Sequence, residues 1–81
     1  MAILIQIIKV KDLPDSAVYE FGSVESIIGS VIISKSDGKV APCNVPIEQA
    51  AKLPFYLPRV TRSLLAHHAK NEYPDRADYR A

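Results

Sequence analysis

Eighty-one residues with ten Lys and Arg, nine Asp and Glu and one cysteine make a nearly neutral chain of formal net charge +1. That length holds a single core, so residues 1–81 are expected to form one small domain. The lone Cys43 excludes an internal disulfide, and Cys43, His67 and His68 are too few soft ligands for a structural metal site. A chain this short buries only about 60–65% of the surface its unfolded form exposes, which leaves self-association as the remaining aid to stability.

Charge is spread unevenly. Residues 1–40 carry four basic and five acidic side chains and residues 41–81 carry six and four, giving −1 against +2. The asymmetry is too mild to imply nucleic acid by itself. The apolar run Ile3–Ile8 is interrupted by Gln6 and followed by Lys9, Lys11 and Asp12 instead of a cleavage site. No stretch has the length of a membrane span. These features, with a single cysteine, predict a cytoplasmic protein with no membrane partner.

Ala2–Val10 reads as a first strand. Ile3, Ile5 and Ile7 face one side; Leu4, Ile8 and Val10, with Gln6, face the other. Both sides are apolar, the pattern of a strand covered on two faces. A turn at Asp12–Asp15 around Pro14 leads to a second strand, Ala17–Phe21. Gly22-Ser23 reverses the chain into a third strand, Val24–Ser34, in which Gly29 marks a bulge or a close backbone approach. Asp37-Gly38 is a tight hairpin signal, because Gly takes positive φ without steric cost and Asp tolerates it. A short fourth strand from Lys39 to about Cys43 follows, with Pro42 suited to an edge.

Pro46–Leu53 suits one or two helical turns, with Pro54 as a stop, and the main helix is expected from Pro58 to Glu72 at the latest. At about 100° per residue, Leu57, Val60, Thr61, Leu64 and His68 share an apolar face, and Arg59, Arg62 and Lys70 lie opposite. Residues 74–81 form a polar C-terminal tail. The predicted fold is therefore α+β, a three- to four-stranded antiparallel β-meander followed by one amphipathic helix (β-β-β-β-α).

Signals for chemistry are sparse. His67 and His68 are adjacent, so on a helix they diverge and cannot share a metal as an i, i+4 pair can. His68 falls in the apolar stripe, where a hydrogen-bonded packing role explains it. A Cys43–His68 pair would need an oxyanion site and a lowered-pKa thiol context, and neither is visible. Asp12 with Asp15 and Asp75 with Asp78 occupy turn and tail positions, and Ser34–Lys39 fits a hairpin better than a phosphate loop. No catalytic, cofactor-binding or metal-binding residue is expected, and the chain is not expected to be an enzyme.

The remaining features favour binding. One helix covers one face of a sheet, yet strands one and three supply apolar residues to both, so a second molecule is expected on the other. Symmetric homodimers are the commonest oligomers, which makes a second copy the first candidate. Arg59, Arg62 and Lys70 form a basic helix face for an acidic protein partner. The expected function is a small protein-binding module of accessory, inhibitory or immunity type. A nucleic-acid-binding protein using that basic face is the alternative.

Overall fold

The computed structural model describes residues 4–80. Four antiparallel strands follow one another, β1 (Leu4–Asp12), β2 (Ser16–Gly22), β3 (Ile27–Ser34) and β4 (Val40–Asn44). A 3-10 segment (Ile47–Lys52) leads into helix α1 (Leu53–His68), and a two-residue strand, β5 (Tyr79–Arg80), closes the chain. The sheet order is β4-β3-β2-β1-β5. This is the predicted α+β meander and helix, with a fifth strand added at the β1 edge. The predicted strand start at Ala2 and the facing of Ile3 lie outside the described residues.

Period-two alternation sorts the strand residues between two faces. Ile5 and Ile7 of β1, Ala17, Tyr19 and Phe21 of β2, and Val31 and Ile33 of β3 are all 0% exposed. The register sets Ile7 opposite Phe21, Tyr19 opposite Val31 and Ala17 opposite Ile33, so these side chains share one face. Helix α1 packs on that face through Val60 and Leu64, with Leu53, Tyr56 and Leu57 half-buried against the same cluster. Each fully buried Val, Leu or Ile side chain contributes roughly 1.5–3 kcal/mol, so this layer carries most of the domain's stability.

Local chemistry explains the turns. Ser34 N–H donates to Lys39 O and Gly38 N–H to Ser34 O, both at 2.9 Å. Residues 35–38 therefore form the hairpin loop. Gly38 has φ +74°, whereas Asp37 helps through its carboxylate, which accepts the Lys39 N–H at 3.1 Å. Those two donors, Lys39 N–H and then Ser34, hold the Asp37 carboxyl below its usual range. A Cβ on Gly38 would also stand 2.7 Å from His68 Cδ2, so the hairpin is seated beneath the end of α1. At Gly29 the anticipated close approach is to β4, since a Cβ there would meet Asn44 O at 2.9 Å. The third strand begins at Ile27, later than expected, because Ser23 Oγ accepts from the N–H groups of Glu25 and Ser26 and holds the preceding residues in a turn.

The helix departs from expectation at its start and ends within the expected bound. It begins at Leu53, five residues before Pro58, and ends at His68. Pro54 lies in the first turn, where its missing N–H has no intrahelical partner to lose, so it does not act as a stop. Pro58 lies inside the helix and is exposed. Asn71 adopts the left-handed region at φ 57° and turns the chain out of the helix.

The expected polar tail is part of the fold. Ala77 N–H donates to Ile7 O and Lys9 N–H to Asp75 O, each at 2.8 Å, and Asp78 Oδ1 accepts from Ile7 N–H at 3.2 Å. Ala77 is buried, and Tyr19 donates its hydroxyl to Pro74 O at 2.7 Å. Burial raises the Tyr19 phenol above its ordinary range. An ion network fastens the same end. Lys9 Nζ lies 3.3 Å from both Asp12 and Asp75, and Lys35 Nζ lies 2.6 Å from Asp12. The hydrogen bond from Lys35, then that from Lys9, keeps the Asp12 carboxyl below the usual range. Burial alone would lower Lys9, but Asp75 and Asp12 outweigh it and leave the ammonium raised.

Candidate interaction surfaces

Two surfaces stand out once the layers are placed. The first is the sheet face opposite α1. Leu4, Gln6 and Ile8 of β1, Val18 and Glu20 of β2, and Ile32 of β3 point there, all half-buried. The register runs Val18, Ile32 and Ala41 in one row across three strands, with Lys11 completing it on β1. Ile8 sits opposite Glu20, one diagonal step from Val18. A β-bulge between Lys9 and Lys11 restores Lys11 to this face and leaves Val10 52% exposed at its margin. Among the described residues no helix covers this face. Its apolar row continues into two shallow hollows, one about 310 Å³ beside Ile32 and Ala41, the other about 240 Å³ beside Ile27, Glu20 and Pro46.

The second surface is the outer side of α1. Leu57, Thr61 and Leu65 recur every four residues and, with Pro58 and Arg62, line a shallow apolar groove. Pro58, Arg59 and Arg62 then meet Tyr79 of β5 in a cleft of about 230 Å³. Arg59 is held in place: Nη1 donates to Phe55 O at 2.7 Å, and its guanidinium lies 4.1 Å from the Phe55 ring centroid. Helix α1 contains no acidic side chain. Among the described residues the ion pairs are Lys9–Asp12, Lys9–Asp75, Lys35–Asp12 and Arg76–Asp78, so neither Arg59 nor Arg62 has a carboxylate partner.

Of the predicted basic face, the fold brings Arg59 and Arg62 together and leaves Lys70 apart. Lys70 lies beyond the helix end, exposed, eight residues or about 12 Å of helical rise from Arg62, and does not line the cleft. Helical spacing puts Leu65 at the flank of the apolar face, and the partner that it misses is Tyr79. Leu57, Thr61 and Leu65 follow the i, i+4 rule, whereas only strand pairing brings Tyr79 to α1.

His68 has its packing explanation. Its Nδ1 is 2.6 Å from the Tyr73 hydroxyl, and the ring covers Gly38. Cys43 is exposed on β4, five residues from Gly38, which is about 16 Å of extended chain. His68 covers the turn that precedes β4, whereas Cys43 lies near the strand's other end. The described residues also contain no group of three or more His, Cys, Asp or Glu side chains placed to hold a metal ion. Among the described residues no helix is long and apolar enough to cross a membrane. No protein family matches the chain, and neither a curated protein nor a solved structure resembles it significantly.

Proposed function

We propose that this chain is a small, non-enzymatic, cytoplasmic protein-binding module that works through the bare face of its sheet, with a second copy of itself as first occupant. One observation carries the proposal: Val18 and Ile32 pair side by side, with Ile8 one diagonal step away, on a sheet face that no described element covers. Contiguous apolar surface of this kind marks interaction sites on soluble domains.

The edges direct association toward the face. At β4, Pro42 interrupts the row of N–H donors, and β5 is only two residues long, so edge-to-edge strand addition is poorly supported. Charge favours self-pairing. Lys11 and Glu20 lie on the same face, and a two-fold axis through its centre can set the lysine of one copy against the glutamate of the other. Four strands about 4.8 Å apart and seven residues long span roughly 450 Å² per copy. Two copies bury about 900 Å², below the roughly 1,200 Å² at which stable specific interfaces begin, so the expected dimer is weak and reversible.

Sedimentation equilibrium across the micromolar range is the test. A monomer–dimer equilibrium that Ile32→Glu shifts at least about tenfold toward monomer, with the far-ultraviolet spectrum unchanged, supports the proposal. A wild-type chain that stays monomeric at high micromolar concentration overturns it.

A further inference from the structure

The helix surface lies on the other side of the molecule from the bare sheet face and can be occupied independently of it. We infer that the Arg59–Arg62 cleft and the groove beside it form one recognition site for an acidic segment of a partner protein. A carboxylate sits between the two guanidiniums, and an aliphatic neighbour of that residue lies along Leu57 and Leu65.

Three observations converge. First, the cleft presents two guanidiniums without a carboxylate partner among the described residues, on a helix that has no acidic side chain. Arginine forks bind carboxylates through paired N–H donors, and such charge-assisted bonds are the stronger class. Second, the site is preorganised. Arg59 is anchored by Phe55 O and stacked on the Phe55 ring, which reduces the side-chain freedom lost when a ligand binds. Third, the apolar groove shares Pro58 and Arg62 with the cleft, so the two are contiguous and place an apolar contact directly beside a cationic one.

The size and lining choose the ligand. The cleft of about 230 Å³ has room for one side chain, and the open apolar groove of about 500 Å³ beside it has room for a neighbouring residue. Nucleic acid fits less well. A phosphodiester backbone needs an extended basic track with aromatic platforms. Here Lys70 is displaced from the cleft, Arg76 is paired to Asp78 at 2.8 Å, and the adjoining groove is aliphatic. The charge layout thus matches a peptide in which a carboxylate adjoins an aliphatic residue.

The test is a nuclear magnetic resonance titration of the full chain with capped dipeptides. The probes are leucyl-glutamate in both orders, the corresponding leucyl-glutamine pair, and sodium phosphate. Saturable shifts of the Arg59 and Arg62 side-chain N–H and of the Leu57 and Leu65 methyl resonances are expected. The glutamate form should bind about tenfold more tightly than its glutamine analogue. Arg62 is exposed, so Arg62→Gln should abolish that difference while backbone resonances remote from the cleft stay in place. Equal affinity for the glutamate and glutamine forms, or no saturable shift with either, overturns the inference. Phosphate moving the arginine signals as strongly, without the leucine methyls, would overturn it in favour of a simple anion site.

Discussion

The two faces of the sheet are built from similar residues and meet different fates. Ile5, Ile7 and Ile33 are 0% exposed beneath α1, whereas Ile8 and Ile32, one position away in the same strands, remain half-buried on the bare side. Hydrophobicity therefore does not decide which side becomes the core. The decision lies with the chain that follows the strands, which returns as α1 and places Val60 and Leu64 on one set. The set left uncovered keeps its apolar character and becomes available to another molecule.

Adjacent isoleucines of β3 separate the two faces most clearly. Ile33→Ala should cost about 2–4 kcal/mol in a denaturant melt, as a buried large-to-small change. Ile32→Ala should cost less than about 1 kcal/mol at low protein concentration, and should weaken the dependence of the melting midpoint on concentration. Equal losses at the two sites would mean that both faces belong to the core. Leu64→Ala, on the helix side of the same layer, should resemble Ile33→Ala.

Gly38 tests how the covered side is closed at its end. Gly38→Val should destabilise by about 2 kcal/mol, since it combines a positive φ with a side chain driven into His68. His68→Ala in that background should recover part of the loss. An unchanged urea midpoint for Gly38→Val would show that the hairpin does not help to close the covered side. On the outer side of α1, Arg62→Ala should stay within about 0.5 kcal/mol in the same assay, because the residue is exposed and unpaired among the described residues.

The smallest effect belongs to the ion network that fastens the C-terminal segment. The Asp12 carboxyl is held below its unfolded value by Lys35 and then Lys9. Its contribution is thus complete above about pH 4 and is lost as pH falls through the depressed value. Lys9 is raised, so its contribution persists through neutral pH and is lost only as pH rises beyond the usual lysine range. Asp12→Asn should flatten the acid limb of a stability–pH profile and leave the neutral-to-alkaline limb largely in place. A variant with the same acid slope as wild type would show that Asp12 does not couple to folding.

Legibility followed the range of the interactions. The Asp37-Gly38 hairpin, the edge position of the Pro42 strand and the apolar stripe through Val60 and Leu64 depend on neighbours within a few residues, and all were visible in the chain. The helix start was misplaced because Pro54 and Pro58 are ambiguous punctuation: proline ends a helix from within but is well tolerated in its first turn. The C-terminal segment was taken for a tail because its polar residues hide its role. Asp78 and Asp75 serve β1 through a side-chain oxygen and a backbone carbonyl, while the one apolar residue buried there is small Ala77. Within the basic face, i, i+3 spacing placed Arg59 beside Arg62, but the end of the helix separated Lys70 from both.

The residues by themselves determined an α+β chain whose strands are apolar on two sides, because alternation, turn chemistry and helical periodicity are local properties. Tertiary structure alone decided that Ile5 and Ile7 are the core and Ile8 is not. It also decided that Tyr79 closes a cleft with Arg59 and Arg62, and that His68 seals the hairpin at Gly38. Each of these joins elements distant in sequence, and their meeting depends on strand order and on where the helix lands, quantities that no local pattern encodes.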